Sequence, residues 1–261
     1  MIAKRLPWQV VVSEFIGTAL LLLIGLSLVI FMFGTGSPAA LLIPDVGVRR
    51  LITGFLFGGL GGLIALSPVG RESGAHINPI VTMGFWMFRK ITGWVAVGYI
   101  VAQLLGAVAG CLPLLLWGDW GKSVMFGATV PGSGYSTGTV VIGEIVTTFL
   151  MVTGLCLFLG FRHLRPFTPA LFPFLYSIMV YFEAAISGTS TNPARSLGPS
   201  VVSGVWEGWW IFWVGPFIGG LLAVIACSFL VKRIEVAKLY YFESDRRMIF
   251  KSGQPRDTAP A

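Results

Sequence analysis

Residues 73–79 read SGAHINP and residues 187–193 read SGTSTNP; Ser, Gly, Asn and Pro coincide, and Asn78 and Asn192 stand 114 residues apart. A single Asn-Pro commonly marks an ordinary turn. Two at one offset, in matching surroundings, mark a duplicated unit. SEFIGTAL from Ser13 pairs with GEIVTTFL from Gly143, each setting one glutamate, Glu14 or Glu144, near the head of an apolar run. YIVAQLLG from Tyr99 pairs with FWVGPFIG from Phe212 at an offset of 113.

The chain around these loops is built for lipid. Of its 261 residues 55% are hydrophobic and 11% charged, and the mean hydropathy is +0.84, leaving too little polar surface to wrap a water-soluble globule. Apolar runs at 10–33, 51–67, 94–117, 140–161, 167–186 and 209–231 each approach the roughly 20 residues that cross a bilayer core. The fold class is therefore an all-α membrane protein with six transmembrane helices. The N-terminal MIAKRLPWQ lacks a small-residue cleavage site, which fits an uncleaved first span rather than a signal peptide. With the N-terminus inside, 14 of the 18 lysines and arginines fall on cytoplasmic flanks, among them Lys4, Arg5 and the basic tail 233–261, so both termini are expected in the cytoplasm. The net charge of +7 then faces anionic lipid and calls for no nucleic acid. Cys111, Cys156 and Cys227 fall inside spans without metal-ligand spacing and read as small apolar filling.

Each half carries three spans, an odd number, so the second copy enters the membrane upside down: an inverted internal repeat. The channel-like domain covers 8–232, with repeat 1 at about 8–117 and repeat 2 at about 138–232. The segments after the two loops, 78–88 and 192–203, are long enough for about half a bilayer at 1.5 Å per residue. Asn is a strong N-cap and Pro is favoured at the first helical position, so two re-entrant half-helices should start at Asn78-Pro79 and Asn192-Pro193. Irregular backbone at membrane depth is tolerated only when packed in protein or lining a watery cavity, which the meeting loops should enclose.

These residues, SGAHINPI and SGTSTNPARS, resemble the two signature loops of the aquaporin (major intrinsic protein) family, and the likeness runs from Glu14 to about Val231. Ile80 departs from the family's usual alanine, which bears on pore shape. The resemblance implies a right-handed six-helix bundle with one pore per subunit, assembled as a homotetramer, with no cofactor or metal. Small-xxx-small patterns at Gly54, Gly58 and Gly62, at Gly106 and Gly110, and at Gly215 and Gly219 suit close helix packing.

At the pore midplane the expected residues are Asn78, Pro79, Ile80, Asn192, Pro193 and Ala194. Two helix N-termini and two carboxamides would hold a water by its oxygen and break the orientation of a proton wire. Arg195, a full charge at membrane depth, should face the lumen. The family's outer constriction places Val180 and Thr189 beside it, and on the second span either Gly58, aligned without a gap, or Phe57, aligned with one. Glu14 and Glu144 are implied to accept hydrogen bonds from the re-entrant backbone, with His76 nearby on the cytoplasmic half. Glu183, three residues after Val180, is read as lining the outer vestibule, with a helix or subunit contact as the alternative.

The substrate markers point two ways. Valine where water-selective members carry histidine implies a wider or less polar constriction, whereas Ser196, Ser200, Phe212 and Trp213 resemble water channels. The expected function is passive conduction of water, with a glycerol, small-polyol or neutral-metalloid facilitator as the alternative. An alternating-access transporter also uses inverted repeats, but no paired carboxylate stands at the two loops to couple an ion. No nucleophile–base pair, metal cluster or phosphate loop suggests an enzyme. The short termini suggest a plasma membrane, of prokaryotic type.

Overall fold

The computed structural model describes residues 7–230. Lys4, Arg5, the end of the last span and the tail 233–261 lie outside the described residues, and with them the expected placement of both termini. The described residues form helices α1 (Trp8–Phe33), α2 (Pro38–Leu42), α3 (Val46–Leu66), α4 (Pro68–Ser73), α5 (Pro79–Met87), α6 (Gly93–Cys111), α7 (Gly118–Ser123), α8 (Thr137–Gly160), α9 (Thr168–Glu183), α10 (Pro193–Ser203) and α11 (Ile211–Leu230), with no strand among them. Asp45, Thr92 and Ser136 cap α3, α6 and α8, each side chain accepting a backbone N–H of the first turn.

Five stretches, α1, α3, α6 running on to Ser123, α8 and α11, are long and apolar enough to cross a membrane. The span expected at 167–186 is shorter: α9 has 16 residues, about 24 Å at 1.5 Å per residue. A 3₁₀ turn at Arg165–Phe167 leads into it, and the chain leaves the helix after Glu183 to enter the second Asn-Pro loop.

Glycine sets the helix pairs. A side chain on Gly106 would strike the carbonyl of Phe15, and one on Gly219 would strike the carbonyl of Ile145. These are equivalent positions in the two halves, so α1–α6 and α8–α11 are the same contact made twice. Gly54, Gly58 and Gly62 lay α3 along α9, against the backbone of Tyr176, Phe172 and Pro169. Removing side chains there lets backbones approach and gain dispersion contact, the main attraction available between helices in lipid.

The two half-helices interlock the repeats. Ile80, Val81 and Phe85 of α5 join a core with Met151 and Leu155 of α8 and Val224 of α11, all from the second half. Ala194 of α10 joins Leu22 and Leu26 of α1 and Ala107 of α6, all from the first. Cys111, Cys156 and Cys227 are buried and free, filling these cores. The outer surface is apolar: Leu63, Phe182 and Phe229 are 67%, 71% and 84% exposed, and Trp206, Trp209 and Trp210 are exposed beside the head of α11. Hydrocarbon, not water, suits such a surface.

Candidate pore and its constriction

Both half-helices start at their asparagines. Asn78 Oδ1 accepts from Ile80 N at 2.8 Å, and Asn192 Oδ1 accepts from Ala194 N at 3.0 Å and Arg195 N at 3.3 Å. The amide ends cross over. Asn78 Nδ2 donates to the Thr191 carbonyl and Asn192 Nδ2 to the Ile77 carbonyl, each at 3.0 Å. The tips of α5 and α10 are thereby tied to each other's loop, and each amide retains a second N–H. That of Asn78 has Met151 Sδ at 3.9 Å.

Behind each loop stands a buried carboxylate. Glu14 accepts from His76 N at 2.9 Å and Ile77 N at 2.7 Å, and Gln103 Nε2 donates to it at 2.7 Å. Glu144 accepts from Ser190 N at 2.7 Å and Thr191 N at 2.9 Å, the same pattern repeated in the second half. The loops pay locally for this convergence: Ala75, Ile77, Thr189 and Thr191 have φ of 50°, 41°, 53° and 50°, left-handed values that non-glycine residues rarely adopt. Alternating hand along the chain turns successive N–H groups to one side, a nest that an anion fills.

A cavity of about 290 Å³ runs past these groups, bordered by Asn78 and Asn192 at the half-helix tips, and by Arg195, Thr189, Val180, Phe57 and Gly58. One water needs only about 10–15 Å³ of such space, so the cavity has room for several. Its walls mix apolar side chains, such as Leu21, Val81 and Phe172, with few polar groups. Arg195 is 8% exposed, and its Nη1 donates to the Gly127 carbonyl at 2.7 Å. The connection from α7 to α8 reaches in at this point, and Thr129 also donates to Ser196 Oγ at 2.7 Å.

On α3 both candidates border the cavity, in different ways. A side chain on Gly58 would meet the Phe172 carbonyl of α9, whereas the Phe57 ring lies over Gly25 of α1. Phe57 is the one that brings a side chain.

Several expected positions fall elsewhere. Ile80 and Ala194 are fully buried and absent from the cavity wall; Ile80 packs on Gly220 of α11. The residue two places after each asparagine projects from the flank of its helix into the core, so Ile80 shapes packing, not the lumen. Pro79 and Pro193 also stay off the wall and serve as first-turn residues. Glu183 does not line the vestibule. It is 5% exposed and turns to Ser187 Oγ and Gly143 of α8, because the helix ends there and the loop folds back beneath it. His76 borders the cavity but is 1% exposed, stacked on Phe85 with centroids 4.4 Å apart, with Nδ1 3.2 Å from Thr82 Oγ1.

Other wall and support groups carried weaker signals. Tyr176 lies one helical turn before Val180, borders the cavity, and its hydroxyl is 2.8 Å from Thr191 Oγ1. Gln103, a polar residue within a span, is fully buried and also donates to Thr82 Oγ1 at 2.9 Å; its polarity could have flagged it. Arg50 and Thr53 also border the cavity. Gly127 acts through its carbonyl, which no side-chain pattern records.

Comparison with known proteins agrees with this architecture. The model of the family described as Major intrinsic protein matches residues 1–227. Probable aquaporin PIP2-8 of Arabidopsis thaliana is 33% identical over 254 residues, covering 91% of this chain and 87% of the relative. Aquaporin PIP2-5 of Zea mays is 36% identical over 246 residues, 89% and 85% covered. Among solved structures, the aquaglyceroporin from Plasmodium falciparum superposes with a TM-score of 0.65 at 20% identity, over 85% of this chain and 94% of that one, a likeness of fold. The duplicated loops, the carboxylate behind each and the match along nearly the whole chain place this protein in the major intrinsic protein family.

Proposed function

We propose that the chain is a passive membrane channel for water that admits small neutral solutes more readily than a narrow water filter would, and excludes protons and ions. The observation that carries this reading is the cavity bordered by both Asn78 and Asn192 at the tips of two half-helices. Each tip bears about half a positive charge and a second amide N–H, that of Asn78 facing Met151 Sδ at 3.9 Å. A water there gives its oxygen to the donors and turns its hydrogens outward in both directions, so no continuous chain of donors crosses the midplane. A cation meets the same positive field, that of Arg195 besides, and sheds hydration between apolar walls. A neutral molecule avoids both barriers.

Arg195, Thr189, Val180 and Phe57 form the proposed constriction. Valine in place of an imidazole removes a polar group and bulk, and supports passage of solutes larger than water. The names of the relatives, plant aquaporins, support water. Light scattering from proteoliposomes separates the two: shrinkage in a sucrose gradient reports water, and rapid reswelling in a glycerol gradient reports solute entry. Shrinkage in glycerol without reswelling beyond that of empty vesicles would restrict the channel to water. The proposal includes a plasma membrane, for which the apolar outer surface speaks, and assembly as a homotetramer, which native mass spectrometry in detergent tests.

A further inference from the structure

Ser187 Oγ lies between two buried carboxyl groups, Glu144 Oε1 and Glu183 Oε1, and accepts from Thr189 N at 3.2 Å. A serine hydroxyl has one proton and two lone pairs. Two ionised carboxylates would both require that single proton. The Thr189 N–H occupies one lone pair, so the set closes only when one carboxyl group donates into the other. Glu144 is the anion, because it already accepts two backbone N–H groups of the loop. Glu183 has only the Thr189 N–H and hydroxyl near it, that N–H already being given to Ser187 Oγ, and its Oε2 is buried without a hydrogen bond, a setting that disfavours charge. The first repeat has no such acid: Ser73 Oγ likewise accepts from Ala75 N, at 3.1 Å, but the residue 114 before Glu183 is Val69.

We propose that Glu183 is a neutral carboxylic acid that donates to Ser187, which donates to Glu144, forming a strut that positions the second loop, and with it Thr189 on the pore wall, until alkaline pH removes the proton. Glu183 acts as a positioning residue, since it does not touch the lumen. The titratable and charged groups around it are Glu144 on α8, and beyond that Arg195 on α10 and Tyr176 on α9, both of which bear on Glu144. Ionisation would set a second negative charge against Glu144 with one proton between them, releasing Ser187 and disturbing the loop that carries Thr189 and leads to Arg195.

Infrared spectroscopy and stopped-flow light scattering on the reconstituted full chain test this. Buried carboxylic acids titrate as late as about pH 8–9, so the wild type at about pH 7 should show a protonated-carboxyl C=O band that Glu183→Gln removes. Wild-type water permeability should fall several-fold between about pH 7 and about pH 10. Glu183→Gln keeps an N–H donor for Ser187, and should hold the neutral-pH permeability throughout. A wild-type spectrum without that band, a band unchanged by the substitution, or identical pH profiles in the two proteins overturns the proposal. If Glu183→Gln does not fold, Ser187→Ala must shift the band, and an unshifted band overturns it equally. The flux arm rests on the channel reading above; the infrared arm does not, so absence of flux with the band present would count against the channel reading alone.

Discussion

Arg195 enters three residues after Asn192 and spends its charge on the cavity wall and on one carbonyl, Gly127 O. Its replacement by valine should keep water flux and relax solute exclusion, read as faster reswelling of proteoliposomes in glycerol or urea; unchanged exclusion would remove it from the constriction. Glu14 is held by three donors. Glu14→Gln presents an NH₂ to at least one of them, and a buried donor left unpaired costs about 1–3 kcal/mol, measurable as a lower unfolding temperature in detergent. Ile80 and Gly220 fit as a pair. Gly220→Ala should destabilise the protein and Ile80→Ala in the same chain should recover part of the loss, a coupling of the kind a double-mutant cycle isolates. Asn78, Asn192, Arg195, Glu14 and Glu144 were all legible because each interrupts an apolar run with a group that lipid will not tolerate unpartnered. Gly127 was not, since a carbonyl looks the same at every residue. Of the two readings of Glu183, the vestibule one fails and the helix contact fits, against Gly143 of α8, because at the last residue of α9 the side chain is captured by Ser187.

At the scale of helices the repeat is carried by a few equivalent contacts: glycine on carbonyl in α1–α6 and α8–α11, carboxylate on nested N–H groups behind each loop, and amide to carbonyl across the tips. Gly106→Ala and Gly84→Ala separate packing from propensity. The added methyl at Gly106 would collide with backbone of α1, while at Gly84 the nearest atom is Val224 Cγ2 at 3.7 Å. Overpacking typically costs about 1–3 kcal/mol, so the first should lower the unfolding temperature and the second should leave it level or raise it. The glycine spacing told which faces pack closely, and the Asn-Pro pairs told where the half-helices begin. Their partners could not be read from spacing, because which helix receives a glycine stripe depends on the three-dimensional path of the loops. The short α9 was also hidden: its apolar residues continue to Ile186, whereas beyond Glu183 the chain keeps only turns, with Ser187 N donating to the Glu183 carbonyl and Gly188 N to the Ala184 carbonyl.

For the whole molecule, the halves interlock around the cavity: α5 packs in a core shared with α8 and α11 of the second half and α10 in a core built by the first, and the two asparagine amides bond across the tips. Alternating access needs one repeat to rock against its partner, and this exchange of half-helices opposes it. The central claim is a continuous passive pore through the meeting point of the two half-helices. Osmotic water permeability of proteoliposomes, measured by stopped-flow light scattering over a range of gradients and temperatures, tests it most directly. Flux is expected well above that of empty vesicles, linear in the gradient, with a low activation energy. Flux no greater than through bare lipid, or flux that saturates with the gradient, would contradict it.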